Sequence, residues 1–205
     1  MDVKTETGEY LVKLARFAAR KWIKEGEKPE PLKPIEEQAK LTTGVFVTVK
    51  KVVGKSSDLR GCIGYPLGIG PLYEEVIDLA RDSTLNDPRF PPVKTAELDS
   101  LIFEVTVLTP PEKINFISPQ ELLNQIEIGR DGLIVQYKSN RGLLLPQVPV
   151  DQGWDKEEYL SYTCRKAWLK ENIWLEEKII VEKFQGVVFA ESSPNGKIER
   201  IKITE

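Results

Sequence analysis

The sequence predicts an α+β fold: a mostly antiparallel sheet with flanking helices. Three observations carry this. Segments that alternate apolar and polar residues come in runs, and segments with helical periodicity lie between the runs. No strict β-α-β-α order, of the kind that builds a parallel sheet, is present. Consecutive strand-like segments are joined by short turn-forming stretches, "GKSSD" after residue 53 and "SPNG" after residue 192, the latter with an Asn-Gly hairpin signal.

The first element is a helix in "GEYLVKLARFAARKWIKEG". Tyr10, Leu11, Leu14, Ala15, Ala18 and Trp22 share one face, with Thr7 as N-cap and Gly26 as stop. The proline-rich "EKPEPLKPIEEQ" reads as a surface linker, because proline removes donors and biases its predecessor out of the helix. "TGVFVTVKKVV" is a strand, "GKSSD" a turn, and "LRGCIG" the returning arm of a hairpin. After the loop "YPLGIGP", a helix runs from Pro71 to about Leu85, with Leu72, Val76, Leu79 and Ala80 buried.

"NDPRFPPV" is a proline-rich turn, "TAELDS" a short helix and "LIFEVTVLT" a strand. "SPQELLNQI" is a short helix with Ser118 as N-cap and Glu121 completing a capping box. "DGLIVQY" and "RGLLLPQV" are two strands around "KSN". A helix starts at Asp155, boxed with Glu158, and turns Tyr159, Leu160, Thr163, Ala167 and Trp168 inward. "EEKIIVEKF", "GVVFAES" and "KIERIKIT" close the chain as three strands.

Composition excludes several function classes. The 205 residues suffice for one domain, or one domain with two lobes. Net charge is −3, from 29 basic and 32 acidic residues, which argues against broad nucleic-acid or membrane binding. No stretch approaches the length of a membrane span, and "MDVKTETGEY" has no secretory pattern, so a cytoplasmic protein is expected. Two cysteines make neither a disulfide scaffold nor a four-cysteine zinc site. High Lys and Glu with one Met fit a thermophile's protein.

The count of histidine is zero. That excludes a Cys-His dyad, a Ser-His-Asp triad and every His-metal site. A general base must be Asp, Glu, Lys, Tyr or a perturbed Cys. No metal and no cofactor are expected. The phosphate-binding glycine motifs are absent, and no interleaving of aromatic and basic residues suggests a base-stacking platform.

The candidate site centres on "LRGCIG". Strand alternation puts Arg60 and Cys62 on one face, Leu59 and Ile63 on the other. An arginine beside a cysteine lowers the thiol pKa, so Cys62 is a candidate nucleophile; a buried cysteine is also simply a small hydrophobe. Gly61 and Gly64 weaken a strand unless something approaches its backbone. In "NDPRFPP", Asp87 starts a turn and Phe90 plugs the core; alternatively Asp87 is a general base or orients an arginine, and Arg89 holds a ligand anion. Glu104 interrupts an apolar strand, sharing a face with Ile102, Thr106 and Leu108: a solvated edge, or a weaker catalytic candidate in a cleft. Pro146 and Gln147 end a strand, where a polar side chain can face a ligand. Trp154 enters a helix as a staple or lid, and Cys164 is structural.

These segments in this order, "GVFVTV", "LRGCIG", "DPRFPPV", "ELDSLIFEVTVLT", "GRDGLIV", "LLLPQV" and "GWDKEEYL", resemble the AMMECR domain family, from about Gly44 to beyond Lys166. The resemblance implies a single domain of two lobes with a cleft between them, bordered by the hexapeptide. The N- and C-terminal parts would form the larger lobe and the middle of the chain the smaller. It implies a prokaryotic-type member similar to component A of a system with a Memo-like protein and a radical S-adenosylmethionine enzyme as partners. Positions carried over are Leu59 through Gly64, Asp87, Arg89, Phe90 and Pro146.

Two functions compete. One is an enzyme, or its substrate-handling subunit, with Cys62 as nucleophile or thiol ligand, Arg60 and Arg89 on a substrate anion, and Asp87 or Glu104 handling protons. The other is a binding module for a small molecule or peptide, in which Cys62 only packs. A nucleic-acid-binding role ranks third.

Overall fold

A computed structural model of the chain describes residues 3–176 and 178–201. In chain order, α1 spans Thr5–Glu25, β1 Val45–Val53, β2 Ser56–Tyr65, α2 Leu72–Arg81, β3 Leu101–Leu108 and β4 Glu112–Lys113. Then come α3 Pro119–Asn124, β5 Asp131–Tyr137, β6 Asn140–Leu144, α4 Gln147–Gln152, α5 Lys156–Lys166, α6 Ile173–Glu176, β7 Ile180–Glu191 and β8 Ile198–Ile201. The fold is α+β, and every strand pairing with an assigned register is antiparallel. No helix among the described residues is long and apolar enough to cross a membrane.

The chain divides into two compact units, one up to Leu108 and again from Val187, the other Thr109–Gly186. In the first unit the strand order is β2-β1-β3-β7, and β8 also pairs with β7. Its core is the inward row Val45, Val47 and Val49 of β1 and Phe103, Val105 and Val107 of β3, covered by α1 and α2. The α1 residues Leu11, Leu14, Ala15 and Ala18 lie at helical spacing and are fully buried there. In the second unit β7 pairs with β5 and β4, and β5 with β6. Its core gathers Leu133, Val135 and Val181 with Tyr159 and Leu160 of α5.

Several expectations are corrected. The N-cap of α1 is Lys4, and Thr7 is buried inside the helix with its hydroxyl 2.7 Å from Glu36. Gly26 ends the helix in a left-handed conformation, as expected. The hairpin turn is shorter than "GKSSD", because Ser56–Asp58 already belong to β2. Instead of continuing to Leu85, α2 widens into one π-helical turn at Asp82–Asn86. Glu121 caps the N–H of Ile117 rather than of Ser118. "EEKIIVEKF" and "GVVFAES" form one strand, β7, with Gly186 inside it. Residues 177 and 202–204 of the strands expected there lie outside the described residues.

Candidate functional site

Among the described residues β2 is an edge strand, paired only with β1, so its outer backbone groups need other partners. At Cys62 a side-chain pair supplies them. The Cys62 N–H donates to Asp87 Oδ2 at 2.8 Å, and Arg89 Nη2 donates to the Cys62 carbonyl at 3.0 Å. Arg89 is itself fixed on Asp87 by Nε to Oδ1 at 3.0 Å and Nη2 to Oδ2 at 2.7 Å. The turn that presents them closes through the Phe90 N–H on the Asp87 carbonyl and the Arg89 N–H on Asp87 Oδ1. The bidentate pair thus occupies an edge that would otherwise be open.

The π turn after α2 brings this segment against β2. Buried Ser83 donates its hydroxyl to the Val47 carbonyl at 2.7 Å and accepts the Ile63 N–H at 3.0 Å, so it stands between paired residues of β1 and β2. Its own carbonyl comes so near Gly61 that a Cβ there would lie 1.8 Å away. Gly61 therefore makes room for a neighbouring backbone of the same unit, not for a ligand. Gly64 lies under its cross-strand partner Phe46, whose ring a Cβ would meet at 2.3 Å.

A β-bulge decides which way Arg60 points. Lys50 faces Leu59 and Val49 faces Gly61, which leaves Arg60 as the extra residue of β2. The expectation that Arg60 shares a face with Cys62 therefore fails. Its side chain, 11% exposed, is ion-paired with Glu97 at 3.1 Å, and its Nη1 is buried without a partner. Arg60 and Lys51 both bond Glu97, and the Arg60 bond above all lowers the Glu97 pKa to about 2.

Cys62, Thr48 and Glu104 lie in one row across β2, β1 and β3, since Thr48 is the register partner of both others. Thr48 Oγ1 donates to Cys62 Sγ at 3.3 Å, and Glu104 is ion-paired with Lys50 at 2.8 Å. β3 lies between β1 and β7, so Glu104 is not on an edge strand.

The guanidinium beside the thiol is Arg89. Asp87 first, and the Cys62 side chain in addition, raise the Arg89 pKa. Arg89 is 53% exposed, and its Nη1 makes no hydrogen bond among the described residues. Asp87, almost fully buried, is held well below the usual carboxylate range by the Arg89 bond, helped by the Cys62 and Arg89 N–H groups. Its two oxygens orient Arg89, and the lowered pKa makes it a weaker base than an ordinary carboxylate. The site offers a half-exposed thiol held by a hydroxyl, next to a cation with one uncommitted nitrogen.

A family model described as AMMECR1 matches residues 12–189. The chain belongs to the AMMECR1 family. It is 49% identical over 199 residues to Protein PH0010 of Pyrococcus horikoshii, covering 97% of this chain and 96% of that one. A protein of Thermofilum pendens is 44% identical over 202 residues, covering 96% and 95%. The crystal structure of Protein PH0010 superposes with a TM-score of 0.81, at 48% identity and 98% coverage of both chains.

In this AMMECR1 chain the structure brings together Cys62, Asp87 and Arg89, with the Phe90 ring 5.5 Å from the Arg89 guanidinium. Glu104 joins their sheet face through Thr48, while Arg60 turns to Glu97. Pro146 and Gln147 belong to the second unit: Pro146 is buried and precedes α4, and exposed Gln147 opens it. Cys164 is buried in that unit's core, and burial pushes its thiol up to about 12. Sequence reasoning missed Thr48, Ser83 and Glu97. Alternation within β1 could have pointed to Thr48, whereas nothing local distinguishes Ser83 in "RDSTLND" or Glu97 in "TAELDS".

Proposed function

We propose that this AMMECR1 protein binds a small molecule or peptide through an anionic group, held by Arg89 beside Cys62. The observation that carries the reading is the uncommitted Arg89 Nη1, on a guanidinium locked by Asp87 and by the Cys62 carbonyl. A side chain so constrained loses little rotamer entropy on taking a ligand, so a single charge-assisted bond there retains more of its strength. Phe90 adds aromatic surface beside the anion contact, and Phe46 lies against Gly64 two residues along β2 from Cys62. Arg60 acts at a distance, holding the bulge through Glu97.

Cys62 is proposed as the floor of this site and as a thiol open to a bound electrophile. With no histidine and with Asp87 held as a carboxylate, a proton acceptor for that thiol would come from the ligand, a partner or Glu104. The family resemblance adds a Memo-like protein and a radical S-adenosylmethionine enzyme as proposed partners that supply or receive the ligand.

The test is native purification from a cell lysate, followed by mass spectrometry of retained small molecules, peptides and proteins. Wild type and Cys62→Ser are expected to carry the same ligand, and Arg89→Gln to lose it. Equal retention by Arg89→Gln refutes the anion contact, and loss by Cys62→Ser alone makes the thiol, not Arg89, the binding group.

A further inference from the structure

The second unit carries an aromatic and basic recess outside the Cys62 site. Trp154 and Tyr162 stack with ring centroids 4.0 Å apart and an interplanar angle of 5°. Arg165 lies over the Tyr162 ring at 5.2 Å. With Leu144, Lys166 and Trp168 they line a cavity of about 400 Å³. That volume falls in the range of small-ligand sites.

Trp168 was expected to face inward and instead is 91% exposed. The end of α5 explains how. The Leu169 N–H donates to the Cys164 carbonyl and the Trp168 N–H to the Arg165 carbonyl, the paired bonds of a Schellman cap. Trp168 occupies the left-handed position of that cap, with φ of 59°, where glycine is the usual residue. Asn140 holds the strained turn by donating to the Ala167 and Trp168 carbonyls. A tryptophan here strains the backbone and leaves its indole in water, so it contributes nothing to the fold that glycine would not contribute better.

The cations have a partial structural explanation, since basic residues suit a helix C-terminus. Arg165 also has an exposed partner, Glu171, at 3.3 Å. Lys166 has no acidic partner among the described residues. The helix terminus does not account for Trp168.

We infer that this recess binds a nucleotide, its base stacking on Trp168 and the Trp154–Tyr162 pair and its phosphate taken by Lys166 and Arg165. A flat ring is what three clustered aromatic side chains recognise without sequence preference, and the adjacent cations select a phosphorylated one. The net negative charge of the chain confines any such binding to this local patch.

The test is a titration of the full chain at low salt with ATP, with oligothymidylate and with inorganic triphosphate, followed by tryptophan fluorescence. Saturable quenching by ATP or by the oligomer, with a Kd below about 1 mM, is expected. Tighter binding of ATP identifies a free nucleotide, and tighter binding of the oligomer a single strand; either supports the inference. Trp168→Gly is expected to bind roughly fivefold to a hundredfold more weakly, the span of base–aromatic stacking, and to melt no lower than wild type. Lys166→Ala and Arg165→Gln, which leave the cap backbone untouched, are expected to weaken binding as well. The inference is overturned if neither nucleotide quenches saturably, if Trp168→Gly binds as wild type does, or if inorganic triphosphate competes as well as ATP.

Discussion

Replacing Gly61 by alanine puts a methyl group 1.8 Å from the Ser83 carbonyl oxygen. The methyl has no rotamer to change and the carbonyl is backbone, so nothing can swing aside. Restoring an ordinary contact of 3.4 Å moves the π turn and β2 apart by roughly 1.6 Å. The bond from Ile63 to Ser83 spans that gap, the bond from Ser83 to Val47 ties the same turn to β1, and the Cys62–Asp87 bond lies one residue on. Overpacking costs about 1–3 kcal/mol and each broken buried hydrogen bond about 1 kcal/mol, so about 3–5 kcal/mol is expected in all. For a chain of this length that lowers Tm by about 6–20 °C. Thermal unfolding followed by circular dichroism measures it, with Gly70→Ala as control. Among the described residues a Cβ at Gly70 meets only Glu75 Oε1 at 3.9 Å, so that variant should stay within about 1 kcal/mol of wild type. A Gly61→Ala protein equally close to wild type refutes the account of the hexapeptide glycine as room for Ser83.

Three further outcomes follow from the same geometry. Glu97 has its folded pKa lowered from 4.5 to about 2, so its contribution is present above pH 4.5 and is lost as pH falls towards about 2. Denaturant midpoints across that window should fall less steeply in Glu97→Gln than in wild type, and identical slopes would sink the Arg60–Glu97 assignment. In the folded protein near neutral pH, iodoacetamide should modify half-exposed Cys62 and spare buried Cys164, as peptide mass spectrometry reads; comparable labelling of both counts against the site. Asp155 accepts the Glu158 N–H at 2.9 Å in a complete capping box, so Asp155→Ala should cost about 1 kcal/mol in denaturant unfolding; no change would mean that tertiary contacts alone hold α5.

Elements fixed by periodicity and local chemistry were legible in the sequence. The α1 stripe, the β1–β2 hairpin, the buried face of α2 and the Asp155 box depend on residues close in the chain. The hexapeptide and "DPRF" were both marked, and the fold joins them through Asp87 and Arg89. Strand alternation assigned the wrong face to Arg60, because a bulge adds one residue and the side-chain period of two then fails. Trp168 was misplaced for a similar reason: the helical period runs out at a left-handed cap that no glycine announces. Ser83 was illegible because its role arises when a π turn meets a strand twenty residues away in sequence.

The most direct measurement of the central claim is the ratio of Cys62 alkylation rates by iodoacetate, an anion, and iodoacetamide, its neutral counterpart. Arg89→Gln removes the cation, and the Asp87→Asn/Arg89→Gln double variant does so without stranding a buried carboxylate. If Arg89 holds anions beside the thiol, wild type should favour iodoacetate about threefold to fivefold more than either variant, the worth of an exposed ion pair, and high salt should erase the difference. The same ratio in wild type and in folded variants would contradict an anion site at Arg89 and leave the Asp87–Arg89 pair as no more than a cover for the edge of β2.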